Sequence, residues 1–321
     1  MSLKDSKSCG IISTFAETPP GTRMLLDSPI GLGILLLFGI LTGTLAGLLG
    51  IGGGVLLVPA LIFAGVQTTI QATATSLIGV FLSATSGSIR NLRAGTLNWR
   101  ASLSIALFGV FSAQRGALLG EKMSDTWLSL GFATLLIITI YLIGLKKRLQ
   151  RKKKTSSEMD GDRPTQAVVS ANGQVVPSTL DVPPIASSSP SAGDTKRFSL
   201  RNLLPSAGIG VLAGLLSGLF GVGGGVVMVP LQMLILGEEI KAAVQTSLGA
   251  IVAIAASGLI EHTRNDNVLW IPGLALGIGG IIGAQFGTRL LPKLSDRAIS
   301  IMFRLLLVSL SVYMIIRAIQ S

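Results

Sequence analysis

Residues 47–59 read Gly47-Leu-Leu-Gly50-Ile-Gly52-Gly53-Gly54-Val-Leu-Leu-Val-Pro59. The pattern returns 171 positions later, where residues 218–230 read Gly218-Leu-Phe-Gly221-Val-Gly223-Gly224-Gly225-Val-Val-Met-Val-Pro230. Each copy lies within a long apolar run. Glycine has no Cβ and weakens helix interiors, so such a cluster predicts a break in a helix. The two copies predict two helices broken at matched points of a duplicated chain.

The composition is that of a membrane protein. Of 321 residues, 49% are hydrophobic and only 13% are charged, whereas soluble domains have about 25% charged residues. Four stretches are nearly free of charge over about 20 residues, which is the length of a membrane-spanning helix: 30–49, 101–120, 126–145 and 299–316. We therefore expect an all-α polytopic protein of the cell (plasma or inner) membrane. A single cysteine and a single histidine exclude a disulfide framework and a cysteine-based metal site.

Changes in composition divide the chain. A polar tail occupies residues 1–29, and a segment rich in serine and proline occupies 151–199. The second segment has no periodic pattern of apolar residues, which predicts a disordered linker. Seven basic residues within 146–154 predict that this linker is cytoplasmic, and they suit anionic lipid headgroups better than nucleic acid. The two membrane repeats are predicted at 30–150 and 200–321.

The two halves match well beyond the glycines. At the same offset of 171, Thr75-Ser76 matches Thr246-Ser247, and Gln114 matches Gln285. Each half predicts four spans, about eight in all, of which the first is broken by glycine. An even number of spans makes the repeats parallel and places both chain termini in the cytoplasm. If the broken first helix is instead a full hairpin, the number becomes odd and the repeats are inverted.

The glycine breaks are the first candidates for a binding site. Matched breaks in two halves are a pointer to the site of a secondary transporter, and the half-helices after the breaks present amide groups and a positive dipole end to anions. Buried hydroxyls and primary amides can also donate to an oxyanion. Two alternatives stay open, namely close packing of small residues between helices and hydroxyls bonded to their own helix. The predicted substrate-binding residues are Gly52, Gly53, Gly54, Thr75, Ser76, Gln114, Gly223, Gly224, Gly225, Thr246, Ser247 and Gln285.

Two ionisable residues are candidates for gating or coupling. Arg115 is the cation most embedded in an apolar stretch, where charges are functional candidates, although it can also snorkel to the nearby interface. His262 stands beside Glu261 and Arg264 at a predicted helix end, as a solvated loop residue or a proton-coupling group. The glycine run lacks the endings of nucleotide-binding loops, and the spans lack a constellation of His, Asp and Glu. We expect no catalysis and no cofactor beyond coupling to a proton or another ion.

The doubled glycine motif, the two Thr-Ser pairs and the Gly-Ala-Gln-Phe-Gly run at 283–287 resemble the TauE/SafE family of sulfite exporters. This family is also called the 4-toluene sulfonate uptake permease family. The resemblance covers both halves and omits the tail and the linker. It implies a secondary transporter of a small sulfur-containing anion, such as sulfite, thiosulfate or an organosulfonate, that works by alternating access. An anion channel and a non-transporting membrane partner subunit are the alternatives, and the oligomeric state is left open.

Overall fold

The structure is a computed structural model that describes residues 29–66, 68–124, 126–128, 130–141 and 203–320. Within these ranges the secondary structure is helical, and they contain no strand. The predicted tail and linker lie outside the described residues, so the boundaries at 1–29 and 151–199 stay predictions. The helical architecture agrees with the expected class of polytopic α-helical membrane protein.

Ten α-helices follow one another along the described chain. In the first half they are α1 Pro29–Leu49, α2 Gly54–Phe63, α3 Thr69–Arg93, α4 Trp99–Lys122 and α5 Thr126–Tyr141. In the second half they are α6 Leu203–Phe220, α7 Gly225–Leu231, α8 Ile240–Arg264, α9 Trp270–Leu290 and α10 Asp296–Gln320. A π-helical turn, Gln232–Leu236, continues α7, and a 3-10 turn, Leu291–Lys293, follows α9.

Five of the described helices are long and apolar enough to cross a membrane, namely α1, α3, α4, α8 and α9. The shorter apolar helices are α2, α5, α6 and α7 with its π-helical turn. Side-chain caps help to fix where two of the long helices begin. The Thr68 hydroxyl accepts a hydrogen bond from the Gln71 amide at the start of α3, and the Asn98 side chain accepts one from the Ala101 amide at the start of α4.

Glycine seams join each half to the other. Along α1, Gly39, Gly43 and Gly47 lie directly against the α9 backbone at Leu276, Gly280 and Ala284. The same seam recurs 171 positions later, where Gly210, Gly214 and Gly218 of α6 lie against the α4 backbone at Ile105, Gly109 and Ala113. Small residues let two helix backbones approach closely in a membrane. The first helix of each half therefore packs on the third helix of the other half.

The order of contacts along each seam gives the helix directions. Residue numbers rise together on α1 and α9, so these two helices run parallel. They also rise together on α3 and α9, where Ile78 meets Gly273 and Leu82 meets Gly277. Helices α1 and α3 therefore point the same way, and the chain must return between them through α2. The broken first helix is a hairpin, not the single broken span that an even count of four assumes.

A second set of contacts shows that the halves are inverted. Helices α3 and α8 cross in opposite directions, since a Cβ on Gly258 would lie 3.3 Å from Leu77 and one on Gly87 would lie 3.4 Å from Leu248. The parallel arrangement that we expected from the sequence is therefore wrong for these helices. The physical reason is local. The left-handed glycines after Leu49 reverse the chain, so that Gly53 lies back against Thr42 and Ala46 of α1.

The two ends of the helix bundle differ in charge. At the basic end lie the α3–α4 loop, with Arg93, and the starts of α8 and α10, where Lys241 faces Asp296 at 3.8 Å. At the acidic end, Asn267 of the α8–α9 loop donates to Glu121 at the end of α4, at 2.8 Å. Helices α1 and α3 start at the acidic end, and α10 finishes there, because Tyr313 contacts Phe63 at the end of α2.

Candidate functional site

The two glycine breaks interrupt the chain at matched points. In the first break Gly50, Gly52 and Gly53 have φ values of 69°, 77° and 82°. In the second break Gly221, Gly223 and Gly224 have φ values of 67°, 74° and 74°. Side chains strongly disfavour this left-handed region, so these positions require glycine. Gly53 and Gly224 are the N-caps of α2 and α7, and neither has a side chain with which to cap the new helix.

The breaks meet each other in the interior. Gly54, the first residue of α2, lies against the Gly221 carbonyl and Val222, and Gly225, the first residue of α7, lies against the Gly50 carbonyl and Ile51. Any Cβ at either glycine would overlap the facing backbone. Val80 of α3 and Ile251 of α8 cover Gly52 and Gly223. Both breaks are buried, and the structure thus brings the two predicted glycine triplets together.

The backbone amides of the breaks are the least satisfied groups there. In the described chain, the N–H groups of residues 51–55 and 222–226 donate no hydrogen bond to the backbone or to a side chain. The next amides, Leu56 and Leu57, donate to the Gly53 carbonyl, and Val227 and Met228 donate to the Gly224 carbonyl. Buried N–H groups rarely lack a partner. A run of free N–H groups with left-handed residues is the geometry of an anion-binding nest.

Several carbonyls of the breaks, by contrast, have protein partners. Ser76 of α3 donates to the Gly221 carbonyl at 2.9 Å, and Ser247 of α8 donates to the Gly50 carbonyl at 2.8 Å. Ser83 lies 3.1 Å from the Gly52 carbonyl. Ser76 and Ser247 each also lie within hydrogen-bond distance of a carbonyl of their own helix. Because a hydroxyl has only one hydrogen, these serines hold the breaks in place and have no second proton to offer to an anion.

The predicted threonines and glutamines lie at joints between helices. Thr75 accepts a hydrogen bond from the Leu269 amide at 3.0 Å, and the Thr246 carbonyl accepts one from Ser102 at 2.7 Å. Gln285 of α9 donates to the Ser86 carbonyl and hydroxyl of α3, at 3.0 and 2.9 Å. Gln114, its counterpart, is half-buried on α4. The contacts of Thr75, Thr246 and Gln285 thus join helices and do not reach the glycine triplets.

The two ionisable candidates have different surroundings. Arg115 is exposed on α4, on a helix face that the bundle does not cover, which fits a side chain that snorkels to the interface. His262 is fully buried, and its Nε2 lies 3.0 Å from the Gly218 carbonyl, close to the second break. The prediction of a solvated loop histidine is therefore wrong, since the end of α6 supplies a buried carbonyl acceptor.

Three buried polar side chains near the second half's hairpin were missed by the sequence-based search. Gln232, in the π-helical turn after α7, is fully buried, and neither atom of its side-chain amide has a partner within the part of the chain that the structure describes. The hydroxyls of Thr73 and Ser217 are also buried and have no partner in the described ranges, and both residues adjoin Gly221. Their counterparts in the other half are apolar, namely Leu61, Val244 and Ala46. A search for matched polar pairs cannot find them, although a lone glutamine in an apolar run was a usable signal.

A known protein family matches most of this chain. The family described as "Sulfite exporter TauE/SafE" matches residues 35–314, which include both glycine breaks and all ten described helices in whole or in part. The chain belongs to the TauE/SafE family. No solved structure matches this TauE/SafE chain. Within the described residues, no group of three or more His, Cys, Asp or Glu side chains could hold a metal ion.

Curated relatives of this TauE/SafE chain are described as membrane transporters. It is 27% identical over 297 residues to the "Probable membrane transporter protein YunE" of Bacillus subtilis, covering 90% of this chain and 98% of the relative. A "Probable membrane transporter protein" of Xylella fastidiosa is 26% identical, with 87% and 92% of the two chains covered. A shorter match, 34% identical over 83 residues, links 26% of this chain to 19% of the "Sulfite exporter TauE/SafE family protein 6" of Arabidopsis thaliana. This chain is therefore a membrane transporter of the sulfite exporter family.

Proposed function

We propose that this protein is a secondary transporter of a small sulfur-containing anion, such as sulfite, thiosulfate or an organosulfonate. The observation that supports an anionic substrate is the difference between the two kinds of backbone group in the breaks. Serine hydroxyls donate to the Gly221 and Gly50 carbonyls, while two runs of buried N–H groups have no partner among the described residues. The sulfur chemistry follows from the family, whose description names sulfite. Sulfonate and sulfite oxygens accept several hydrogen bonds at once, which suits two facing sets of amide donors.

The proposed site divides the predicted residues into two roles. The amides of Gly52 to Gly54 and Gly223 to Gly225 bind the anion oxygens directly. Ser76 and Ser247 hold the breaks in their open conformation, and Thr75, Thr246, Gln114 and Gln285 set the spacing of the helices around them. A site of neutral donors binds an anion without the strong attraction of a fixed cation, so the anion can also leave. No cofactor is required for this task.

Inverted halves give a route to alternating access. Two repeats of opposite orientation can exchange conformations, and this exchange opens the midplane site to one side and then to the other. The glycine seams of α1 on α9 and of α6 on α4 are matched surfaces along which such a movement can occur. Because the breaks touch each other at Gly54 and Gly225, a shift of either hairpin changes both sets of amides.

The helix directions also support a membrane orientation. Of the described charged residues, seven cations lie at the basic end and three lie at the acidic end, so the positive-inside rule supports a cytoplasmic position for the basic end. The segment that follows α5 then starts in the cytoplasm, as we expected for the linker. In this proposal the start of α1 and the end of α10 lie outside, which differs from the cytoplasmic termini that we expected from the sequence. The seven cations are Arg90, Arg93, Arg100, Lys241, Arg289, Lys293 and Arg297, and the three are Lys122, Arg264 and Arg317.

In this orientation, eight of the described helices correspond to the eight spans that we expected from the sequence. Eight helices cross most of the bilayer, and α2 and α7 are the short return arms of two hairpins. Each half then makes a hairpin and three crossings, so an odd number of crossings separates the two halves. The hairpins enter from opposite sides of the membrane and meet at the glycine breaks.

Transport by the purified protein in proteoliposomes tests the function. We expect saturable uptake of labelled thiosulfate, acceleration by unlabelled thiosulfate on the opposite side, and competition by sulfite or taurine. A thermal-shift panel with sulfite, thiosulfate, taurine, sulfoacetate and matched carboxylates would rank the substrates. Single-channel currents would instead identify an anion channel. Absence of both binding and flux would favour a non-transporting partner subunit.

A further inference from the structure

His262 occupies an unusual position on α8. Its side chain is fully buried, two residues before the end of the helix, and its Nε2 lies 3.0 Å from the carbonyl oxygen of Gly218. A carbonyl can only accept, so Nε2 carries the hydrogen in this contact. The other ring nitrogen, Nδ1, is buried and has no partner among the described residues. This nitrogen has a free lone pair and is the atom that a proton would reach.

The contact joins the ring to the second glycine break. Gly218 lies in the last turn of α6, where a carbonyl's intrahelical donor would be the amide of Val222. That amide donates no hydrogen bond in the described chain, because the helix ends at Phe220 and the chain reverses at Gly221. The imidazole therefore replaces a missing helical hydrogen bond next to the break. A positive charge here is also favoured by the negative end of the α6 dipole.

Charged groups and a cavity lie at the same end of the bundle as the ring. Glu121 of α4 and Glu261 of α8 interact electrostatically with His262, and Arg264 pairs with Glu261 at 3.3 Å. Lys122 and Asp266 lie at the same end of the bundle, whereas α6 and α7 have no titratable side chain. A cavity of about 290 Å³ opens at this acidic end, lined by Ile70, Glu121, Asn265 and Asn267.

We propose that His262 binds and releases the proton that is coupled to anion movement. A proton enters from the acidic-end cavity past Glu121 and binds to Nδ1. The resulting imidazolium lies one turn from the second break, where its charge strengthens the binding of an anion to the free amides. By linkage, a bound anion strengthens proton binding equally. The counterpart in the first half is Asn91, which is buried and cannot titrate, so one half alone carries the coupling group. This inference rests on the proposed function.

The chain has one histidine, which makes a direct test simple. Histidine-selective ¹⁵N labelling of the full chain in nanodiscs reports the protonation of His262 alone. We expect the ring to take up a proton within the pH range in which the protein stays folded, and saturating thiosulfate to raise the midpoint of this titration. Thiosulfate is the appropriate probe because it does not itself bind a proton near neutral pH, as sulfite does. A ring that stays neutral throughout, or a midpoint that thiosulfate does not move, would overturn the proposal.

A transport experiment provides the second readout. His262→Asn places the non-titrating residue of the other half at this position, whereas the longer amide of His262→Gln can still donate to the Gly218 carbonyl. In proteoliposomes, we expect the variant to lose uptake driven by a pH gradient at least tenfold more than it loses thiosulfate exchange at equal pH. His262→Gln should behave in the same way. Equal dependence on the pH gradient in wild type and both variants would contradict the coupling role. A wild-type protein that neither binds nor carries any sulfur anion would contradict the proposed function instead.

Discussion

Ser76 donates its hydroxyl hydrogen to the carbonyl of Gly221, which lies 145 positions away in the other half of the chain. The reciprocal contact runs from Ser247 to Gly50. A helix of each half thus supports the glycine break of the other half, and the same exchange is seen where Ser86 reaches the Ile281 carbonyl and Ser257 reaches the Val110 carbonyl. The two breaks are therefore parts of one structure, and a change at one of them should affect both.

Removing these hydroxyls should destabilise the protein. Ser76→Ala and Ser247→Ala each leave a buried break carbonyl without its donor, at a cost of about 1–3 kcal/mol. We expect each single variant to unfold at a lower Tm in detergent, and the double variant to lose thiosulfate transport. The control is Ser104→Ala, since the Ser104 hydroxyl bonds only to its own helix on an exposed face. An unchanged Tm in both single variants would show that these hydroxyls do not support the breaks.

The contact between the two breaks predicts a strict requirement for glycine at Gly54 and Gly225. Gly54→Ala and Gly225→Ala would each drive a methyl group into the backbone of the facing break. We expect both variants to lose transport and to be less stable by several kcal/mol, about the cost of overpacking a core. Gly33→Ala is the matched control, because a Cβ at Gly33 has no neighbour within 4 Å. Full activity of Gly54→Ala would contradict the interlocked arrangement.

Replacing Gln232 with an apolar residue should stabilise the protein and weaken anion binding. Its buried amide has no partner in the described chain, so Gln232→Leu removes an unsatisfied polar group and should raise the Tm. Leucine is the residue at the matched position of the first half, Leu61, so the fold accommodates it there. We expect the same variant to bind thiosulfate more weakly, because π-helical turns and unsatisfied buried groups often mark functional sites. A variant with a lower Tm and unchanged transport would indicate a purely structural glutamine.

Inverted halves make a prediction about sidedness. Thr96 and Asp266 lie in the α3–α4 and α8–α9 loops, and both are exposed. These are matched loops of the two halves, so parallel repeats would put them on the same side of the membrane. With Cys9 replaced by serine, we expect Thr96→Cys to react with impermeant thiol reagents only from the cytoplasm. Asp266→Cys should react only from outside. Labelling of both cysteines from one side would restore the parallel arrangement.

Glu238 should make stability depend on pH. It lies in the loop before α8, outside the spanning helices, and burial raises the pKa of its carboxyl group. The folded protein then holds this proton more tightly than the unfolded chain does, so stability falls as pH rises through the folded pKa. Glu238→Gln should therefore raise the Tm at neutral pH, and the gain should vanish below the ordinary glutamate pKa of about 4.3. Glu239→Gln is the control, because the neighbouring Glu239 is exposed.

The sequence contained the positions of the breaks but not the direction of the chain after them. Glycine spacing and hydrophobicity predict where a helix stops, and the matched pairs Ser76 and Ser247 identify the residues that support the breaks. Whether the chain continues or turns back at Gly50 depends on three left-handed φ angles and on the seam of α1 with α9. Periodicity does not encode either feature. The parallel repeats were therefore the wrong choice between two alternatives that the sequence left open.

The asymmetric residues were missed for a different reason. Matching the two halves emphasises what they share, and Gln232, Thr73 and Ser217 have apolar counterparts. The surroundings of His262 could not be predicted, because its partner is a backbone carbonyl of α6 that becomes available only where that helix ends. In a duplicated chain, a polar residue whose counterpart is apolar is therefore as strong a candidate for a functional site as a polar residue that both halves contain.

The seam between α1 and α9 also has a consequence for how the chain is made. Gly39 lies against Leu276, which is synthesised 237 residues later. At a synthesis rate of about 5–20 residues per second, α1 is made roughly 12–50 s before the segment of α9 against which it packs. During this interval the first half is in the bilayer with its glycine seam facing lipid or a membrane chaperone. Insertion of the second half, and not of the first, is therefore the step that completes the native protein.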